Sequence, residues 1–305
     1  MIALVTGGSG FIGRYLIDNL LSQKYKVITI SRKPMENNKV KSFKGDITKP
    51  ETLKSAFKDV DVVFHNAAFA MDQGDKKKIY NINVEGTRNV ADLCIQNNIL
   101  RLIFTSSAGV YGFPNKEVEI DEEYEKNPLN YYHKSKLMAE KILLDYTDLK
   151  VSIVRPTLVF GKEGKAVEIL INRIKQGKMM FIGQGNTKLS LVHPVDVAQC
   201  LSLAYEKDKK GETFNAVSLI CTVKELLNEI TNQLNIDSVK KRVPYTLAYL
   251  NAIFSENFLK KETALTRFRV KTFGTTRIVS NKKAIEKLGF SPKYNLTSMV
   301  KDMIS

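Results

Sequence analysis

Eight residues near the start of the chain, Thr6-Gly7-Gly8-Ser9-Gly10-Phe11-Ile12-Gly13, constrain the fold more than any other stretch. An apolar run, Ile2 to Val5, precedes them, and Phe11, Ile12, Leu16 and Leu20 follow at helical spacing. The reading is strand, tight turn and helix. Gly8, Gly10 and Gly13 fit G-x-G-x-x-G, while Gly7, Gly10 and Gly13 fit G-x-x-G-x-x-G. The first glycines allow a turn that a β-carbon would block. The next lets the backbone approach a pyrophosphate at the positive helix N-terminus, and Gly13 lets helix and strand pack closely. The pattern predicts nucleotide binding; the alternative is a glycine turn kept for strand–helix packing alone.

Downstream, short apolar runs alternate with amphipathic stretches, the pattern of a parallel sheet with helices on both faces. Strands are predicted at Val27 to Ile30, from Val40 through Phe43 to near Asp46, at Val62 to Phe64, Leu102 to Phe104 and Val151 to Val154. Helices are predicted from Ile79 to Asn97 and from Tyr132 to about Tyr146. After Arg155-Pro156 the regularity weakens: helices at Glu163 to Gln176, Pro194 to Tyr205 and Val223 to Leu234, a strand at Thr213 to Ala216, and a short helix from about Asn281. The expected fold is α/β: a Rossmann-type doubly wound parallel sheet with a smaller α/β carboxyl-terminal substrate lobe. Residues 1–160 would form the core and 161–305 mainly the substrate lobe, with about 191–217 returning to the core.

The length, 305 residues with 43% hydrophobic content, suffices for one large domain or two intimate ones. Cys94, Cys200 and Cys221 lie far apart without metal or redox spacing, and the glycine loop begins at residue 6 with no signal peptide before it. A reduced, cytoplasmic setting and no metal are therefore expected. No apolar run approaches the ~20 residues that span a bilayer. A net charge of +15 reads as a lysine-coated surface, or as attraction for an anionic cofactor, substrate or membrane surface. Nucleic acid is not expected, because the basic residues are dispersed and no nucleic-acid motif accompanies them.

After the second strand comes Ser31-Arg32-Lys33, where an acidic residue would hold the ribose 2′-hydroxyl of NAD. Arg32 could pair with the 2′-phosphate of NADP, so NADP is favoured over NAD; the alternative is a solvated basic turn. Asp46 is placed to accept from an adenine amino group or to cap the next helix. His65-Asn66-Ala67-Ala68 ends the fourth strand, with small Ala67 and Ala68 leaving room for the middle of a cofactor and His65 read as a packing residue.

Thr105-Ser106-Ser107-Ala108-Gly109 follows the fifth strand, and Tyr132-His133-Lys134-Ser135-Lys136 follows an acidic loop. Tyr132 and Lys136, four apart, share a helix face. A free tyrosine has a pKa near ~10, and a cation one turn away would lower it. The pair could then move a proton at a substrate oxygen held by a hydroxyl of the strand-five loop.

These residues resemble the extended short-chain dehydrogenase/reductases, the group that includes NAD-dependent epimerase/dehydratase proteins. The resemblance covers nearly the whole chain. Thr6 to Gly13 matches the cofactor loop, Asn83 to Val90 the helix motif beneath the site, and Arg155 to Gly161 and Val192 to Ala198 later landmarks, where His193 and Asp196 read as structural. It implies that Ser107, Tyr132 and Lys136 are catalytic. It implies cofactor contacts from Gly7, Gly10, Phe11, Ile12 and Gly13 in the loop and from Arg32, Asp46 and Ile47 beyond it. Ala67, Ala68, Asn83, Thr105, Tyr132, Lys136 and Pro156 would complete them.

Departures narrow the subgroup. Ser107-Ala108-Gly109 stands where sugar-nucleotide dehydratases carry Thr-Asp-Glu, which argues against dehydration. Thr157-Leu158 replaces the Phe-Asn common in sugar-nucleotide epimerases, and Gly161 is followed by Lys162-Glu163 rather than Gly-Pro. Val243 to Leu250, Thr266 to Val270, Ser280 to Ala284 and Leu288 to Pro292 resemble 3β-hydroxysteroid dehydrogenase-like and dihydroflavonol reductase-like members. That resemblance implies interconversion of a secondary alcohol and a ketone on an apolar, steroid-like or phenolic molecule. A sugar-nucleotide epimerase with tightly bound NAD and a non-catalytic cofactor-sensing or assembly protein are the alternatives. The apolar segment Pro244 to Leu259 would pack the lobe, cover an apolar substrate or touch a membrane surface. The resemblance also implies a homodimer through the helices Ile79 to Asn97 and Tyr132 to Tyr146.

Overall fold

A computed structural model describes residues 1–258 and 265–305. Seven parallel strands form the central sheet: β1 (Ile2–Thr6), β2 (Lys26–Ser31), β3 (Val40–Lys44), β4 (Val62–His65), β5 (Arg101–Thr105), β6 (Lys150–Pro156) and β7 (Thr213–Ala216). Their order is β7-β6-β5-β4-β1-β2-β3. The strand order reverses between β1 and β4, where such sheets open a ligand crevice at the carboxyl ends of their strands. Both faces are buried: Leu16, Ile17 and Leu20 lie against one, with Val197 and Leu201, and Val90, Leu93 and Leu143 against the other. The near-continuous apolar strands follow from that double burial.

Helix α1 (Phe11–Ser22) leaves the glycine loop. The single helix expected over Ile79 to Asn97 is interrupted. A short helix, Lys76–Tyr80, leads into a π-helical turn, Asn81–Glu85, and only then into α2 (Gly86–Gln96). The local sequence is helical in pattern throughout; the extra residue in the turn serves side-chain contacts described below, a placement typical of π-bulges. Helix α3 (Tyr131–Leu144) is capped by Asn130, whose side chain accepts from the His133 amide. Helix α4 (Pro194–Lys207) lies beside α1, and its N-cap is His193.

The smaller lobe contains helices Lys165–Lys175, Val223–Gln233 and Tyr245–Phe258 and short strands, including Leu158–Val159 beside Lys188–Val192. Two helices were not expected: Arg267–Gly274 within a basic stretch, and Leu296–Ile304 at the end. The carboxyl-terminal stretch is tied back to α4. Asp196, fully buried, accepts from the Lys293 and Tyr294 amides and the Ser218 hydroxyl, and the His193 ring stacks on Tyr294 at 3.4 Å.

The apolar segment behaves differently from simple lobe packing. Helix Tyr245–Phe258 buries Ala248 and Ala252 but leaves Leu247, Leu250, Phe254 and Phe258 exposed on one side; Leu259 lies outside the described residues. No helix among the described residues is long and apolar enough to cross a membrane.

Candidate active site

The glycine turn ends β1 with Gly7 at φ +70°, where a β-carbon would also meet the Ala67 Cα at 2.7 Å. At Gly13 a β-carbon would strike the Gly7 carbonyl, so this glycine closes the loop on itself. Gly10 differs. A β-carbon there would meet the Gly7 carbonyl oxygen alone, at 3.1 Å, and is otherwise unopposed, so packing constrains this position less than it does Gly7 or Gly13. Gly10 is also the N-cap of α1, which has no side-chain cap and no acidic residue in its first turn. Those free amides and the bare loop suit a pyrophosphate. At the carboxyl end of β5 the Thr105 hydroxyl is buried with no hydrogen-bond partner among the described residues. The residues present fit a dinucleotide.

Phe11 packs edge-on against Tyr15, and Ile12 lies against the core. Arg32 is exposed beyond β2, and an open cleft is lined by Ser9 and Arg14 of the loop and α1 and by Met35, Glu36 and Asn37 after β2. Asp46 bonds the Thr48 amide at 2.9 Å and hydroxyl at 2.8 Å, and so caps its own turn. Burial opposes its charge, yet these bonds with Arg32 and Lys49 hold the carboxyl below its usual range. Ile47 is buried against Gly86, and Pro156 is buried where β6 pairs with β7. Ala67 is half-buried and Ala68 exposed at the end of β4.

Asn83, expected at the cofactor, is bonded within the protein. It is 1% exposed, accepts from the Phe69 amide at 2.7 Å and donates to the Ser135 hydroxyl at 2.9 Å. Its amide is committed to the protein, and the π-helical turn is what brings it to α3. His65 is sealed in a chain of bonds: its Nδ1 is 2.7 Å from the Thr6 hydroxyl and its Nε2 2.9 Å from that of Thr87. Because Thr87 donates to the Asn83 carbonyl, its oxygen accepts from Nε2–H, which assigns the tautomer. Burial pushes the imidazole down to about 3, so it stays neutral.

The turn after β5 and helix α3 meet at three levels. The Lys136 ammonium sits 4.0 Å above the Phe104 ring, the Ser106 hydroxyl donates to Glu140, and the His133 ring covers Gly109, where a β-carbon would overlap it. Ser107 accepts from the Gly109 amide at 3.1 Å, which leaves its hydroxyl hydrogen free to donate outward.

The electrostatics reverse one expectation. Burial, with the Asp72 carboxylate, pushes the Tyr132 phenol up to about 12 rather than down. Lys136 is 1% exposed and has no ion pair among the described residues; burial drives it down to about 7, against the pull of Glu140. A lysine whose own charge is disfavoured stabilises a phenolate weakly. Tyr132 therefore holds its proton, in the form that donates to a carbonyl oxygen.

The spacing that singles out Tyr132 and Lys136 continues one turn further to Glu140, a signal the sequence reading missed. Glu140 and Arg155 form a buried bidentate pair at 2.9 and 2.7 Å. Although burial opposes its charge, that carboxylate holds the guanidinium above its usual range. Arg155 also donates to the Tyr111 hydroxyl at 2.8 Å, which donates to Asn215 at 2.8 Å, whose amide donates to Glu122 at 2.7 Å. This network locks α3 to β6 and β7. At the open side, Asp72 pairs with Arg269 of the smaller lobe at 2.8 Å.

Known proteins share this architecture. The chain is 29% identical, over 97% of its length and 88% of the relative's, to sterol-4-alpha-carboxylate 3-dehydrogenase, decarboxylating, of Mus musculus. It is 27% identical, over 97% of its length and 96% of the relative's, to 2-alkyl-3-oxoalkanoate reductase of Stenotrophomonas maltophilia. In fold it is similar to the UDP-glucose 4-epimerase of Thermotoga maritima, solved with UDP-glucose: TM-score 0.80, 24% identity, 100% of this chain and 98% of that one. The model of the NAD dependent epimerase/dehydratase family matches residues 3–217, from β1 through β7. The chain belongs to the NAD dependent epimerase/dehydratase family.

Proposed function

We propose that the protein is an NADP-preferring oxidoreductase that interconverts a secondary alcohol and a ketone on an apolar small molecule carrying a carboxylate two carbons from the reacting one. The observation that carries this reading is the packing of the turn that holds Ser107 on the helix that holds the protonated Tyr132, His133 lying over Gly109, in a chain whose glycine loop fits a dinucleotide. The names of two relatives support the substrate class, since each couples a carboxylate with oxidation or reduction at the next-but-one carbon. The bound dinucleotide would supply or accept hydride. Ser107 would hold the substrate oxygen by donating to it. Tyr132 would pass its proton to that oxygen during reduction and recover it during oxidation. Lys136 would contact the cofactor ribose. Arg32, with Lys33 beside it and no acidic residue at the β2 end, supports the NADP preference.

The direct test is turnover of a 3-oxo acid, a steroid ketone, a flavonoid ketone and UDP-glucose, each with NADPH and NADH. The expected result is reduction of the 3-oxo acid with NADPH. UDP-glucose conversion without added cofactor would overturn it in favour of an epimerase, the reading its fold likeness supports. Exposed Tyr80, Ile95, Met138 and Leu144, on the helices flanking the site, support a homodimer across them; light scattering at micromolar concentration should give twice the chain mass.

A further inference from the structure

We infer that Arg277 is the anchor for the substrate's carboxylate. The inference rests on the oxidoreductase reading above and assigns the residue that selects its substrate. Arg277 is only 6% exposed, yet no carboxylate among the described residues pairs with it. Arg155, equally buried, has Glu140. A guanidinium presents five donors, and among the described residues this one makes a single side-chain bond, to the Gly112 carbonyl at 3.3 Å. A buried charge without a counter-charge is disfavoured, and burial indeed pushes the group down to about 10. An anion from outside the chain would relieve that.

The position is held by backbone rather than by chance. The Arg277 amide donates to Lys188 at 3.0 Å, its carbonyl accepts from the Ser190 hydroxyl at 3.3 Å, and the next residues, Ile278–Val279, pair with Glu119–Ile120. The guanidinium lies over the Phe113 ring at 5.0 Å. From there a row of rings leads to the proposed proton donor: Phe113 to Phe268 at 5.6 Å, Phe268 to His133 at 4.8 Å and His133 to Tyr132 at 4.9 Å. His133 is itself 5% exposed, with Nδ1 lacking any partner among the described residues. Arg277 also acts electrostatically on the His133 ring beside Tyr132, so the proton donor and a planar cation with no counter-charge among the described residues flank the same apolar wall. A guanidinium fork matches a carboxylate edge to edge. The complementary ligand is an amphiphilic acid whose reacting oxygen lies near Tyr132 and whose carboxylate reaches Arg277.

The test uses the full-length protein with NADP(H), as wild type, Arg277→Gln and Arg277→Lys. Oxidation of 3-hydroxydecanoate is compared with that of its methyl ester, and binding of decanoate with that of decanamide. The wild type should favour the acid over the ester in KM by about tenfold or more. Arg277→Gln should raise KM for the acid by about 10–100-fold, the range of a lost charged hydrogen bond, and move the ester far less. Arg277→Lys should recover part of the difference. Equal use of acid and ester by the wild type, or an equal loss of both in Arg277→Gln, would overturn the assignment. The binding arm does not depend on turnover. Decanoate and decanamide binding alike would overturn the anchor, as would loss of UDP rather than decanoate binding in Arg277→Gln. Discrimination for decanoate without turnover of either substrate would instead sink the oxidoreductase reading on these acids and leave the anchor standing.

Discussion

At the nucleotide end, backbone does most of the shaping: Gly7 is left-handed, Gly13 closes against the Gly7 carbonyl, and the bare first turn of α1 faces the crevice. At the proposed substrate end, side chains do it, and they arrive from far apart. His133 belongs to α3, Phe113 to the loop after β5, and Phe268 and Arg277 to the last forty residues. A backbone-built site tolerates few residue types and leaves a spacing pattern. A side-chain-built site can change its ligand by one substitution, and leaves none. The difference explains how a single architecture serves relatives with distinct substrates while keeping one cofactor chemistry.

The comparison can be broken at several points, beginning where the effect is largest. Tyr132→Phe should lower kcat by about 10²–10⁴-fold, the range for a lost general acid, with cofactor affinity little changed. Steady-state rates with cofactor titration would check this, and near-normal turnover would remove Tyr132 from the chemistry. Glu140→Ala leaves Arg155 buried without an anion. It should destabilise the protein by about 3–5 kcal/mol in urea unfolding while sparing cofactor selectivity. A third point concerns Lys136, whose folded pKa of about 7 lies below the ~10.4 of an unfolded lysine. Between those values the unfolded chain binds the extra proton, so this residue makes stability rise with pH, by at most ~1.4 kcal/mol per unit, and the gain is lost below about pH 7. The difference between wild type and Lys136→Met in urea unfolding from pH 6 to 9 should carry that slope; a flat difference would show that the ammonium stays charged. The smallest effect is expected at exposed Arg32. Arg32→Asp should move the ratio of kcat/KM for NADPH over NADH by about tenfold toward NADH, consistent with loss of one charge-assisted contact.

What could be read from the sequence follows the same division. The glycine loop, the alternation that predicts β1 to β7 and the Tyr132–Lys136 pair are local patterns, set by periods of two and 3.6 and by the absence of side chains. Arg277 is one of 47 basic residues and carries no local mark; only the fold reveals that it is buried with no carboxylate partner among the described residues. The Glu140–Arg155–Tyr111–Asn215–Glu122 network joins five distant positions. The π-helical turn at Asn81–Glu85 hides within an unbroken helical pattern, because the reason for it is Ser135 across the interface. The sign of the Tyr132 shift was missed for the same reason: spacing supplies the cation, but burial decides whether that cation keeps its charge.

The bonds of Asp196 bear on the order in which the protein can be made. Its carboxylate, buried under α4, is satisfied by amides 97 and 98 residues further along the chain. At about 5–20 residues per second, a ribosome needs roughly 5–20 seconds to reach them. Over most of that interval every strand of the central sheet already exists, while the carboxylate at the first turn of the helix that covers one face has only the Ser218 hydroxyl, of its three donors, within the chain made so far. The hydrogen bonding that fixes the start of α4 is complete only when Lys293 and Tyr294 arrive, which makes this the window in which a chaperone has most to offer.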